Sequence, residues 1–279
     1  MGASAAVPRR RALAVIAGAA LLAPASAGRA QPAALRAGGT GSALGAMRMV
    51  ADALARRQGA GDVLALVPNL GTSGALKALQ AGAIDLAFVA RPLKAEESAA
   101  GLIALEYGRS PFVIVTNRTD VKNLARARLA DLVSGRAPTW TDGQPVRLVL
   151  RPRSDGDSAL LAAMSPDVAR ALETAQARPG MVVAATDQDA ADEAERLPGS
   201  LGTSTLSLML SEHRRLALVA IDGVVPSAKT ISDGTYPYQK PFFLVTRGPP
   251  SGPAKQFVEF VRSREGRAIL EANGHVPAP

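Results

Sequence analysis

Small hydroxyl residues follow glycine at two places in the first third of the chain. The two stretches are GGTGSALG, which contains Thr40, Gly41 and Ser42, and GTSGALKAL, which contains Thr72, Ser73 and Gly74. At the start of a helix, free backbone N–H groups and nearby hydroxyls can bind an oxyanion. Because Ser and Thr are also ordinary N-cap residues, each stretch alone is better explained as a simple helix start.

A third stretch, VRLVLRPRSDGDSALL (146–161), adds a positive charge to this pattern. Arg151 ends a predicted strand, and the turn that follows contains Ser154, Asp155, Gly156 and Asp157 before a predicted helix begins. The planar guanidinium of arginine can donate paired hydrogen bonds to an oxyanion. A surface arginine beside an Asp-rich helix cap is the alternative, but three such loops in one chain favour a shared binding cleft.

Other kinds of site are poorly supported by residue type and spacing. The glycines at 39, 41 and 45 miss the dinucleotide spacing, and a P-loop Lys-Ser/Thr pair is missing. The chain has no cysteine, and its two histidines, His213 and His275, have no partner at metal-ligand spacing. We therefore expect both histidines at the surface, no metal, no cofactor and no enzymatic activity.

The N-terminal segment carries much of the positive charge. Arg9, Arg10 and Arg11 precede a short apolar run and then small residues, a pattern typical of a secretory signal peptide over 1–30, cleaved near Ala27 or Ala30. Without this segment the 32 basic side chains fall to 28 against 24 acidic ones, so the formal charge drops from +8 to +4. With only 4% aromatic residues, nucleic-acid binding is not expected.

The elements that must position these loops alternate between strand and helix patterns. Predicted strands lie at 62–68, 83–90, 110–117, 146–151, 181–187, 215–222 and 241–247, with helical patterns between them. This alternation predicts an α/β protein with mainly parallel sheets. The acidic stretch DQDAADEAER (187–196) is interpreted as a solvated helix with acids favoured near its N-terminus.

In their order, these motifs resemble the phosphate-type periplasmic solute-binding proteins of the type II binding-protein fold. The resemblance covers nearly the whole chain after residue 30. It includes the three loops above, LADLVSGRAPTWTDG, TYPYQKPFFLV and the C-terminal FVEFVRSREGRAILEANGHVP.

The resemblance implies two α/β lobes around a ligand cleft, each a mainly parallel sheet flanked by helices. Lobe one would comprise 31–113 and 238–279, and lobe two 114–237. It further implies an exported monomer that captures an oxyanion, first of all phosphate, by hinge closure and delivers it to an ABC permease. The ligand-binding residues would be Thr40, Gly41, Ser42, Thr72, Ser73, Gly74, Arg91, Arg151, Ser154, Asp155, Gly156 and Asp157.

Two departures from the family pattern leave the ligand open. Ala90-Arg91 stands where relatives have Ser-Arg or Ser-Asp, and Asp155-Gly156-Asp157 stands where they have Ser-Gly-Thr. The aspartates could turn away as helix caps, one could accept the proton of hydrogenphosphate, or the ligand could be another anion such as tungstate or molybdate. A sensor subunit with a degenerate site and an extracellular hydrolase that uses Asp155 and Asp157 are the remaining alternatives.

Overall fold

A computed structural model describes residues 1–3, 34–59 and 61–279 of the chain. The predicted signal peptide therefore lies, apart from its first three residues, outside the described residues. Within the described ranges, no helix is both long enough and apolar enough to cross a membrane.

Helices and strands alternate as the sequence pattern predicts. The helices are α1 (Gly41–Gln58), α2 (Gly71–Gln80), α3 (Ala95–Ala99), α4 (Arg126–Ser134), α5 (Gly156–Ala162), α6 (Pro166–Ala177), α7 (Asp187–Arg196), α8 (Leu206–Ser211), α9 (Ala228–Ser232), α10 (Gly252–Arg262) and α11 (Arg264–Ala272). The strands are β1 (Leu35–Gly39), β2 (Leu64–Val67), β3 (Leu86–Val89), β4 (Leu102–Thr116), β5 (Asn123–Leu124), β6 (Arg147–Leu150), β7 (Val182–Val183), β8 (Ser200–Thr205), β9 (Ala217–Ile221), β10 (Gln239–Arg247) and β11 (Val276–Pro277).

The strands form two parallel wings that are joined by antiparallel strands. The order is β2-β1-β3-β10-β4-β8-β6-β7, and β1 pairs in parallel with β2 and β3 while β6 pairs in parallel with β7 and β8. We call β2, β1 and β3 the first wing and β8, β6 and β7 the second wing. β4 leaves the first wing and β10 returns to it, so these neighbouring strands run antiparallel. The sheet is therefore mixed at its centre rather than parallel throughout.

Each wing has its own apolar core. On the first wing, Met47 of α1 and Phe257 of α10 pack with Phe88 of β3. On the second wing, Trp140 and Leu172 are buried in a separate cluster. The lobe boundaries at 113/114 and 237/238 stay a prediction.

The two histidines differ in their surroundings. His213 is exposed, as predicted, but the expectation of a surface position for His275 is wrong. β11 pairs with β4 and carries His275 against Tyr107 and Phe242, with ring centroids 5.8 and 5.3 Å away. This burial lowers the pKa of His275 to about 4, so the ring is neutral at pH 7.

Candidate functional site

The three loops predicted from the sequence line a single cavity of about 620 Å³. The carboxyl ends of parallel strands meet at one edge of a sheet, which brings the loops after β1, β2 and β3 together. The loop after β6 faces them from the second wing. Of the predicted ligand-binding residues, those at the wall are Thr40, Gly41, Thr72, Ser73, Gly74, Arg91, Arg151, Ser154, Asp155 and Gly156. Ser42 and Asp157 are buried behind that wall.

The start of α1 is already bonded to a carboxylate. The Thr40 hydroxyl and the Ser42 backbone N–H both donate to Oδ2 of Asp187, each over 2.9 Å. Asp187 is the first residue of α7, which belongs to the second wing. An oxygen of the chain itself thus lies where the sequence predicts an oxyanion.

The interpretation of 187–196 as a solvated helix is wrong for its first residue. The Asp187 side chain is only 8% exposed, because α7 points its N-terminus at the start of α1. The next acid fits the expectation, since Asp189 and Thr186 form an exposed capping box that fixes the helix start. The sequence pattern alone does not distinguish a capping aspartate from one that bonds across a cleft.

Two cations face this carboxylate. Arg151, which follows β6, approaches Oδ1 of Asp187 at 3.5 Å while its guanidinium donates to Asp155 and to the Ala184 carbonyl at 2.8 and 2.7 Å. Lys240 of β10 lies with its Nζ 3.8 Å from the same Oδ1. Lys240 and Arg151 therefore share Asp187 as a common counter-ion.

Lys240 is a site residue that the sequence analysis missed. Its side chain is 4% exposed, forms an ion pair with Asp157 and donates to the Ser42 hydroxyl over 3.3 Å. A buried lysine next to the apolar run PFFLV of β10 is unusual, and this position is the signal that could have identified it.

The two aspartates of the third loop have different surroundings. Asp155 acts as a helix cap, because its Oδ1 accepts the Asp157 N–H over 2.9 Å and its other oxygen pairs with Arg151. Asp157 is not a helix cap: its side chain is 2% exposed, lies behind the cavity wall and forms an ion pair with Lys240. The helix-cap alternative therefore describes Asp155 and does not describe Asp157.

The pKa values of the buried groups follow from these contacts. Burial alone would raise the pKa of Asp187, but Lys240, Arg151 and the bonds from Ser42 and Thr40 lower it to about 2. For Asp157 burial dominates over the opposing effect of Lys240, so its pKa is raised. For Lys240 the nearby aspartates outweigh burial and raise the pKa. At pH 7 Asp187 and Lys240 are charged.

Within the described residues, the start of α2 has no carboxylate bonded to its backbone N–H groups as Asp187 is bonded at α1. Among the described residues no side chain caps this helix, and Thr72 and Ser73 lie at the cavity wall. The Thr72 hydroxyl accepts the N–H of Ala90 over 3.1 Å. Arg91 lies at the same wall but is held by Glu97 through two hydrogen bonds of 2.8 and 2.7 Å.

In the part of the chain that the structure describes, no group of three or more His, Asp or Glu side chains is placed to hold a metal ion. The aspartates of the cleft instead face Arg151 and Lys240.

The chain belongs to the PBP superfamily, a family of solute-binding proteins, because the model of the PBP superfamily domain matches residues 24–265. It is similar to phosphate-binding protein PstS of Bacillus subtilis, with 26% identity over 166 residues. That match covers 56% of this chain and 51% of the relative, so the chain spans about half the length of that curated relative.

Solved structures show the same fold. One, from Clostridium perfringens, is named for a phosphate ABC transporter substrate-binding protein and contains bound phosphate. It covers 88% of this chain and 100% of its own, with a TM-score of 0.71 and 19% identity. A phosphate transport receptor from Vibrio cholerae matches over the same shares with a TM-score of 0.61 and 18% identity. The fold is thus the two-lobed α/β fold of these proteins, with a central sheet flanked by helices.

Proposed function

We propose that this protein captures an oxyanion, with inorganic phosphate as its ligand, in the cleft between its two wings. The observation that carries the proposal is the convergence of three separate helix-opening loops and Arg151 on one cavity. Loops of this kind present N–H groups and hydroxyls to an anion, and arginine adds paired, charge-assisted hydrogen bonds. The names of the similar proteins from Bacillus subtilis, Clostridium perfringens and Vibrio cholerae point to the same ligand.

The proposed ligand set comprises the residues predicted from the sequence, with different roles. Ser73 and Gly74 at the start of α2 and Arg151 at the end of β6 face the cavity and provide donors from both wings. Asp155 acts indirectly, because it orients the Arg151 guanidinium through a 2.8 Å hydrogen bond. Lys240 is added to this set as a second cation near the cavity.

Capture by closure of the cleft fits the way the wings are joined. β4 and β10 run side by side between the wings, so bending of these two strands changes the distance between the loops of the two wings. An anion that contacts both wings favours the closed arrangement, since all of its contacts form only there.

The family to which the chain belongs supports a wider role. We propose that the protein is exported, works as a monomer and delivers its ligand to an ABC permease. The predicted signal peptide over 1–30 supports export. We propose no catalytic step, so the protein should form a stoichiometric complex and release the anion unchanged.

Calorimetric titration of protein freed of bound anion tests the proposed ligand. Phosphate should bind with one-to-one stoichiometry, whereas sulfate, molybdate and tungstate serve as competing ligands. Saturable binding of one of those anions without any binding of phosphate would reject phosphate as the ligand. Release of a product from a phosphate ester would reject the binding-only role.

Arg151→Ala tests the proposed site. The guanidinium provides donors that the methyl group lacks, so phosphate affinity should fall by about ten-fold or more. Arg170→Ala is the matched control, because Arg170 is an exposed arginine on α6 that pairs only with Asp167 among the described residues. Equal affinity of Arg151→Ala and the unmodified protein would place the ligand elsewhere.

A further inference from the structure

The cleft is closed by contacts between the start of α1 and the start of α7. Oδ2 of Asp187 accepts from the Thr40 hydroxyl and the Ser42 N–H, each over 2.9 Å, as described above. The next residue, Gln188, donates its side-chain amide to the Gly41 carbonyl over 3.0 Å. The first wing and the second wing are thus hydrogen-bonded to each other at the predicted anion position.

The close approach requires glycine at position 41. A Cβ atom built there would lie 2.0 Å from Oε1 of Gln188 and 2.9 Å from Cβ of Asp187. The Gln188 amide is the end of a flexible side chain and can rotate away, but Cβ of Asp187 cannot, so a side chain at position 41 would require the start of α7 to shift slightly. The contact between the two helix starts is therefore built into the sequence on both sides.

The Asp187 carboxylate uses the donors that an oxyanion would need. Thr40 and Ser42 donate to one oxygen, while Arg151 and Lys240 lie 3.5 and 3.8 Å from the other. A phosphate oxygen cannot take these donors while the carboxylate holds them. Two negatively charged acceptors at this spacing would also repel each other.

We propose that Asp187 is a built-in competitor of the ligand, whose carboxylate occupies the oxyanion position at the start of α1 and joins the two wings across the cleft. This inference rests on the proposed function of the same site. The incoming anion must displace the carboxylate, so binding includes separation of α7 from α1. Asp187 therefore sets the affinity of the site and the minimum ligand concentration to which it responds.

The proposal differs from a role of Asp187 as the proton acceptor for hydrogenphosphate. A proton acceptor would contact the bound ligand and improve its affinity. A competitor contacts the donors of the site and lowers the affinity, because only the fraction of protein with a displaced carboxylate can bind. The two roles predict opposite effects of removing the charge.

The experiment compares Asp187→Asn and Asp187→Ala with the unmodified protein by phosphate calorimetry. Both substitutions remove the carboxylate that holds the Thr40 and Ser42 donors, so phosphate no longer has to displace it. Phosphate affinity should therefore rise by about ten-fold or more. Asp192→Asn is the matched control, because Asp192 lies on the same helix with its side chain 65% exposed and pairs with Arg214. Its phosphate affinity should equal that of the unmodified protein.

A second measurement tests the hydrogen bond between Ser42 and Asp187 without any ligand. The Ser42 amide donates only to Asp187 among the described residues, so its hydrogen exchange should be about ten-fold faster in Asp187→Asn and unchanged in Asp192→Asn. Thermal unfolding of each variant verifies that the fold is intact. The alanine variant provides the same test if the asparagine amide re-forms one bond.

The outcomes separate this proposal from the proposed function. Weaker or equal phosphate affinity in both Asp187 variants would overturn the competitor role. If none of the proteins binds phosphate, the proposed ligand fails, and the Ser42 exchange rate alone decides on the contact. Faster exchange in the Asp187 variants then supports the closing contact, and an unchanged rate overturns it.

Discussion

The starts of α1 and α2 have similar sequences but different surroundings in the fold. Both place glycine and small hydroxyl residues at a βα junction that opens into the cleft. At α1 the donors are buried and bonded to Asp187 from the second wing. At α2 Thr72 and Ser73 lie at the cavity wall, and no described side chain caps the helix. One predicted anion position is occupied by the protein itself, and the other is open.

This difference shows what a helix-opening sequence can and cannot specify. The local pattern determines that N–H groups and hydroxyls point into the cleft, because helix starts leave these groups unbonded. Which acceptor they bind depends on a residue about 145 positions away that the fold brings to α1. Whether a helix start is bonded to a negatively charged side chain therefore depends on the tertiary structure and not on the local sequence.

The largest expected difference concerns the two lysines of the cleft. Lys240→Met removes the buried partner of Asp157 and a neighbour of Asp187, so the free energy of unfolding should fall by about 3–5 kcal/mol. Lys94→Met, on the α2 side, should cost less than about 1 kcal/mol, because that side chain is 61% exposed. Urea unfolding of both variants measures the two values. If both variants lost the same free energy of unfolding, Lys240 would not be a buried counter-ion at the start of α1, and the proposed difference from α2 would be wrong.

The pKa of Asp187 should report how strongly the cations and hydrogen-bond donors around the start of α1 stabilise its carboxylate. Its pKa is lowered to about 2 from an ordinary 3.8, so its contribution to stability is present above about pH 4 and is lost as pH falls towards 2. This contribution amounts to about 2 kcal/mol. NMR titration of the labelled carboxyl carbon measures the pKa directly. A value at or above 4 would mean that the donors of α1 do not hold the carboxylate.

The smallest effect comes from matched glycine substitutions at the two helix starts. Gly41→Ala places a Cβ against Asp187 and Gln188, so the free energy of unfolding should fall by about 1 kcal/mol. Gly74→Ala places its Cβ 3.7 Å from Leu70, an ordinary contact, and should leave stability unchanged or raise it by up to about 1 kcal/mol. Thermal unfolding compares the two. If Gly41→Ala were also neutral, α7 would not approach α1 closely.

The sequence predicted the local elements and the loops well. The alternation of apolar strands and helices defined the α/β fold, and the helix-opening loops do line one cavity. It failed where long-range contacts decide the surroundings of a residue. Asp187 has the local pattern of a solvated helix start, Lys240 lies within an apolar strand, and His275 is buried only because β11 pairs with β4.

Amide NMR during titration with phosphate tests the central claim most directly, because it observes both helix starts at once. We predict that the Ser42 amide at α1 and the Ser73 amide at α2 shift together, saturate at one equivalent and share one midpoint. The Ser42 signal should change most, since its acceptor changes from the Asp187 carboxylate to phosphate. Absence of any shift at these two amides, with shifts elsewhere or none at all, would contradict the account.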